Sequence, residues 1–364
     1  MKTNKQWCIC FISLYMFFLL VIGAIVIIVD PFIHYHKPLK SLYYSLDASD
    51  ASINDGIGKF FEYNTIITGT SMTQNFKTSE ADKLFQIESI KLPLAGATYK
   101  VVNEQLQRIL SYNPKTKYVF RGLDLGYFSI FEWEKPHIYP TYLYDKEIFN
   151  DVYYIYNKDV FLKECIPMLY DAFICKKAGG IRDFDSYSSW SSNFGKEFAL
   201  KGIDHFELQK TENRPLSQDL IQSIIQNIEQ NVSSLPKKYP NTTFYFFLTP
   251  YSAVWWGNNY SNIPNFIEQE KIVIELILEC KNVKLYSFNN EIEITTNLNN
   301  YRDPCHYGER VNSIMLEFMK EDRGLLTKEN YISYLENEKD FYINFDYNSL
   351  FTQSDFQSEN QFQK

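Results

Sequence analysis

The sequence predicts an α/β protein of three layers. A mainly parallel sheet lies between helices, and one membrane-crossing helix precedes it. Three observations carry this expectation. Between residues 65 and 124, strand-like and helix-like runs alternate, as a parallel sheet with right-handed crossovers requires. The alternation resumes beyond residue 215, where apolar stripes of helical period flank β-rich runs at 243–248 and 283–288. Trp7 to Val29 is a run without a charge, long enough at about 1.5 Å per residue to span a bilayer of about 30 Å.

In chain order, residues 1–6 are a polar leader carrying Lys2 and Lys5, and 7–29 are the anchor. The apolar run is longer than a signal-peptide core and ends in bulky Ile and Val, so the anchor is expected to stay uncleaved. A short basic leader places the rest of the chain outside the membrane, although Lys37 and Lys40 blunt the charge asymmetry. Residues 30–59 link the anchor to the domain. They open with Asp30-Pro31-Phe32-Ile33-His34-Tyr35-His36, which reads as an aromatic and basic collar at headgroup level. The alternative is a metal site on His34 and His36, for which no third ligand is evident.

The α/β domain is expected over 60–322. Thr65 to Thr68 is β-branched and reads as a buried strand. Gly69 permits a turn, and a helix is expected over 73–86 with Ser71 or Thr73 as cap. A strand over Ile87–Leu94 ends at Gly96. A helix over 98–112 carries Val101, Val102, Leu106, Ile109 and Leu110, and a third strand runs from Tyr118 toward Asp124. Residues 125–215 are dense in aromatics and prolines and read as one insertion capping the C-terminal edge of the sheet, where ligands bind in open α/β sheets. Ser217 caps a helix over 217–235, Thr243–Leu248 is a strand, Pro264 opens a helix over 264–280, and Val283–Phe288 is read as the last strand. A helix over 309–320 closes the domain. Residues 323–364 form an extension, of which 345–364 are polar, lack a period and are expected to be disordered.

Composition narrows the functions. Of 364 residues, 22% are charged and the net charge is −8, which argues against a nucleic-acid partner. Aromatics make up 17%, a load that suits a sugar-binding groove or reflects a lineage bias toward Asn, Lys, Tyr and Phe. The six cysteines show no metal spacing. Cys165 and Cys175 are close enough in sequence to pair outside the cell, and Cys305 is expected to be free.

Two short stretches carry chemistry. Ser71 sits at a strand-to-helix junction, among backbone N–H groups that stabilise negative charge; it is equally placed to be an N-cap. Asp303-Pro304-Cys305-His306 lies near the end of the domain. A serine hydroxyl needs a base. Of five histidines, His34 and His36 sit at the membrane, and His137 and His205 lie in the insertion. His306 is left at the sheet's C-terminal rim, with Asp303 able to reach back to its Nδ1. The competing reading of Asp303-Pro304 is a turn that caps the last helix.

Together, Gly69-Thr70-Ser71 and Asp303-Pro304-Cys305-His306 resemble the first and last blocks of the SGNH/GDSL hydrolase superfamily. The likeness runs over roughly residues 60–320 and is nearest its membrane-anchored bacterial branch, typified by teichoic-acid D-alanylation and alginate O-acetylation proteins. The resemblance implies a Ser71–His306–Asp303 triad and an oxyanion hole from the N–H groups of Ser71 and Gly96, the latter otherwise a simple turn. It calls for no cofactor and no metal. It also implies a third donor, an asparagine; this chain has Gly122-Leu123-Asp124-Leu125 there instead, leaving Asp124 as a substrate contact or a protonated donor. The expected function is a membrane-anchored, extracytoplasmic serine acyltransferase or esterase. It would act on a cell-surface glycopolymer, with a membrane-embedded acyl-donor protein as partner. The alternative is a non-catalytic scaffold of the same fold, and metal-dependent hydrolysis at His34 and His36 is a third class.

Overall fold

A strand buried on both faces must be apolar or satisfied along its whole length, and five runs meet that condition. The computed structural model describes residues 4–44, 50–130, 139–145, 147–179, 184–209 and 215–352. Its strands are β1 (Thr65–Gly69), β2 (Ser89–Pro93), β3 (Tyr118–Leu123), β4 (Thr243–Leu248), β5 (Val283–Ser287) and β6 (Leu325–Leu326), in the order β2-β1-β3-β4-β5-β6. The first five are parallel, and β6 pairs antiparallel through Leu285↔Leu326 and Tyr286↔Leu325. The expected last strand, β5, is therefore followed by one more, since two residues are too few to show a period. The core comprises Ile66, Ile67, Leu92, Val119, Phe244, Phe247 and Leu285.

The chain leaves β1 in one direction and β3 in the other. With right-handed crossovers, the helix after β1 lies on one face and those after β2, β3 and β4 on the other. Helices Tyr99–Tyr112, Gln218–Asn231 and Ile263–Leu278 accordingly pack in succession, while Thr78–Phe85 packs against Glu309–Lys320. The β1/β3 crevice is thus the topological switch point, the usual ligand site of such sheets. Ser217 caps its helix by accepting from the Leu220 N–H at 3.2 Å, as expected.

The described residues gather into two units, Met1–Glu62 with Lys135–Asp183, and Tyr63–Glu134 with Phe184–Lys364. The single insertion expected over 125–215 is thereby divided. Residues 135–183 join the N-terminal unit because the turn after the first helix is built around them. Asp30 is fully buried; its carboxylate accepts the N–H groups of His34, Tyr35 and His36 at 2.8–3.0 Å, and the Tyr154 hydroxyl at 2.9 Å. His34 Nε2 lies 3.2 Å from Asp151. The ring nitrogens of His36 face the carbonyls of Lys37 and Ile27, so the two histidines point at different partners. The collar is a side-chain-capped turn. The helix ahead of it runs Asn4–Val29 and is long and apolar enough to cross a membrane. Cys165 is buried and Cys175 exposed, and both are free thiols.

Two further expectations are corrected. The helix placed at 73–86 begins only at Thr78. The Lys91 ammonium, on fully buried β2, draws the carbonyls of Gln74 and Phe76 toward itself at 2.5 and 2.9 Å, where the chain is not helical. The tail is ordered to Thr352: helices Tyr331–Asn344 and Ser349–Thr352 form, and Tyr347 and Leu350 are fully buried, Tyr347 against Phe206. Residues 353–364 lie outside the described residues, as does His137.

Candidate active site

The site is built where β1 ends. Gly69 has φ +150, and a Cβ there would meet Thr73 Cγ2 at 2.6 Å, so the turn into Ser71 demands glycine. A 3-10 turn, Ser71–Thr73, follows. Thr70, not Ser71, caps it by accepting the Met72 N–H at 3.3 Å. Ser71 is therefore not consumed as a cap and stands half-buried at the rim.

The second half comes from the loop after β5. Tyr301 and Tyr307 pair as a bridge, closed by the Arg302 N–H donating to the His306 carbonyl at 3.0 Å. Ser252, beyond β4, donates its hydroxyl to the Pro304 carbonyl at 2.7 Å, and Tyr301 donates to the Pro250 carbonyl at 3.0 Å. These bonds fix the loop so that His306 Nε2 lies 2.9 Å from Ser71 Oγ. His306 Nδ1 lies 2.9 and 3.0 Å from the two Asp303 oxygens. Asp303 Oδ1 also accepts the N–H groups of Cys305 and His306 at 2.9 and 2.8 Å. Burial opposes ionisation of Asp303, but the His306 ring and these N–H donors outweigh it and hold the carboxyl below its ordinary range. An anionic Asp303 keeps the proton on Nδ1, leaving Nε2 to accept from Ser71. The same Asp303 carboxylate both closes the turn through the Cys305 and His306 N–H groups and faces the His306 ring. Burial pushes the neighbouring Cys305 thiol up to about 12, so it stays protonated.

Asp124 is enclosed by protein. It is 2% exposed, and its oxygens accept the hydroxyls of Thr70 at 2.5 Å and Thr249 at 3.0 Å. Burial raises its pKa, and those two hydrogen bonds pull it back. It ties the ends of β1, β3 and β4 together beneath Ser71. Gly96 lies at the turn after β2 with φ +68. Among the described residues, neither the Ser71 nor the Gly96 N–H has a hydrogen-bond partner. His205, on its own turn, is exposed.

Trp190 was not foreseen. Its ring stands edge-on to His306 at 6.1 Å, and its indole N–H reaches the Ser71 carbonyl at 3.4 Å. Phe194 stacks beside it, and the Arg302 guanidinium lies 5.0 Å from its ring. The Ser71 loop holds it there: Asn75 accepts the Trp190 N–H at 2.9 Å, Gln74 donates to Ser188 at 3.0 Å, and Asp185 accepts from Thr78 and Ser79. Lys91 adds the Asp185 carbonyl at 3.1 Å. Residues 184–195 have no period, so only their aromatic content marked them. From the other side, Asn312 donates to the Met72 carbonyl at 3.1 Å.

Because Lys91 donates to three inward carbonyls, its replacement takes a charged donor away from each. Lys91→Met is expected to cost about 3 kcal/mol, read as a lowered urea midpoint with an unchanged slope.

No family model matches the chain, and no curated protein matches its sequence. Among solved structures, a provisionally assigned platelet activating factor from Streptococcus pneumonia aligns over 75% of this chain and 91% of its own, with 10% identity and a TM-score of 0.39.

Proposed function

We propose that the chain is a membrane-anchored serine acyltransferase or esterase of SGNH type, acting outside the membrane on a cell-surface polysaccharide or teichoic acid. The observation that carries this reading is the hydrogen-bonded line Ser71–His306–Asp303 at the switch point of the sheet. Ser71 Oγ attacks the carbonyl carbon of an acyl ester while His306 Nε2 takes its proton. The N–H groups of Ser71 and Gly96 receive the oxyanion. Collapse breaks the ester C–O bond, and His306 returns the proton to the departing alkoxide, leaving an acetyl or D-alanyl ester on Ser71. A second hydroxyl, from sugar, polyol or water, then attacks with His306 as base and regenerates Ser71. A membrane-embedded donor protein would supply the acyl group beside the anchor.

Transfer needs water kept from the acyl-enzyme. Trp190, held edge-on to His306, is the group placed to do so. Trp190→Ala is expected to raise hydrolysis relative to transfer several-fold, measured as acetate against acetylated acceptor when full-chain protein in nanodiscs turns over p-nitrophenyl acetate in the presence of a glycan or glycerol. Ester cleavage equal in the native protein and in Ser71→Ala would remove the catalytic reading.

A second reading, a non-catalytic scaffold of surface-polymer assembly, rests on Asp124. It stands in place of the expected third oxyanion donor, with both oxygens accepting hydrogen bonds. Full cellular function of Ser71→Ala would favour it.

A further inference from the structure

The N-terminal unit carries a feature that catalysis does not use. Residues 148–174 fold into short helical turns, Ile148–Asp151, Val152–Ile155, Val160–Cys165 and Ile166–Phe173. Their inward side chains are few: Asp151, Tyr154, Val160 and Cys165 are buried. Their outward side chains are large and apolar. Ile148 is 77% exposed, Phe149 88%, Phe173 66% and Ile174 64%. In Ile166–Phe173, with sequence IPMLYDAF, Asp171 is the sole polar residue, yet none of the eight residues is buried. Met168, Leu169 and Ala172 are half-covered while Ile166, Tyr170 and Phe173 stay exposed, and large apolar side chains left outward in this number mark a docking surface.

What covers the patch is indicated by what it packs against. A Cβ at Gly23 in the Asn4–Val29 helix would lie 3.2 Å from Ile155 and 3.4 Å from the Tyr156 hydroxyl. Gly23 is six residues before Val29, so this contact lies about 9 Å inside the end of that helix at 1.5 Å per residue. An interfacial element typically sits about 5–10 Å into the headgroup–acyl boundary. Tyr154 and Asp151 then lock the segment to the turn at Asp30, fixing it at that depth. Tyr153, Tyr156 and Tyr170 are exposed on it, as in an aromatic belt. Its charges fit a headgroup level: Lys163 pairs with Asp159 at 3.2 Å and Lys177 with Asp171 at 3.0 Å.

We propose that residues 148–174 are a lipid-docking element, seated in the boundary of the same phospholipid bilayer that the Asn4–Val29 helix crosses. This rests on that helix being a membrane span. The element would give the N-terminal unit a second, non-covalent hold on the membrane and a fixed depth.

The test is photolabelling of the full chain in phosphatidylcholine vesicles containing a phospholipid with a diazirine on its acyl chain, followed by peptide mapping. Lipid adducts are expected both on 4–29 and on 148–174. In a Phe149→Asp, Phe173→Asp variant, adducts on 148–174 should fall several-fold while those on 4–29 persist, which also shows that the variant remains inserted. Adducts on 4–29 alone overturn the proposal. Adducts on neither segment remove the membrane span itself, and the proposal with it.

Discussion

Ser71→Ala and His306→Ala are each expected to lower kcat for p-nitrophenyl acetate by roughly 10⁴- to 10⁶-fold, and the double variant by no more than either alone. The reason lies in the 2.9 Å contact between Ser71 Oγ and His306 Nε2. Without the base the hydroxyl keeps its proton, and without the hydroxyl the base has nothing to activate, so the losses cannot add. Asp303→Asn should cost less, about 10⁴-fold, by releasing the tautomer that its carboxylate imposes. Asp303 also holds the N–H groups of Cys305 and His306. The variant's melting temperature should therefore be compared with that of Ser71→Ala, to separate loop loosening from lost chemistry. Cys305→Ser should leave the rate within a few-fold of native, since its thiol is kept protonated by burial. Additive losses for Ser71 and His306, or a Cys305 variant as slow as either, would contradict the assignment.

Stability is expected to fall as pH rises from about 5 through about 8, and Glu338→Gln should remove the Glu338 share of that slope while leaving the share that burial imposes on Glu270. Glu270, on Ile263–Leu278, and Glu338, on Tyr331–Asn344, are both fully buried and face one another. Asn289, Tyr334 and Tyr342 lie against the pair, and among the described residues no cation answers it. Burial first, and for Glu270 the neighbouring Glu338 charge next, raise these carboxyl pKa values. In the unfolded chain a glutamate titrates near 4.3. Between that value and the raised one the folded chain binds more protons, so rising pH favours unfolding by about 1.4 kcal/mol per pH unit for each proton. The contribution is fully present in acid and is lost as pH climbs through the folded value. Thermal melts of the native chain and Glu338→Gln across that range should converge at the acid end and diverge at the basic end, with the variant the more stable there. Parallel curves would show that the pair does not titrate in this window.

The repeating part of the fold was legible because its signals are local. The β-branched run at Thr65–Thr68, the stripe from Val102 to Leu110 and the Ser217 cap each carry their own period or stop signal, and the parallel order follows from their alternation. The grouping of Ser71, His306 and Asp303 was also legible, since it needs only those residue types on loops at the same edge of the sheet. What stayed hidden depends on contacts between distant residues. Lys91 delays the helix after Ser71 by holding carbonyls that sequence periodicity assigns to a helix. The burial of Asp124 between Thr70 and Thr249 was hidden too, because nothing local shows that those two residues converge on it. Trp190 belongs to a segment without period, placed by Asn75 and Gln74 more than a hundred residues earlier. Residues 345–352 read as disordered because Phe345, Tyr347, Leu350 and Phe351 follow no period; burial of Tyr347 and Leu350 fixes the segment.

The most direct measurement is labelling of full-chain protein in nanodiscs with a fluorophosphonate probe, followed by peptide mapping. A serine hydrogen-bonded to an imidazole should carry the phosphonate on Ser71, with labelling lost in Ser71→Ala and strongly slowed in His306→Ala. Absence of labelling at Ser71, or equal labelling after His306 is removed, would contradict a working Ser71–His306 pair and leave the scaffold reading in its place.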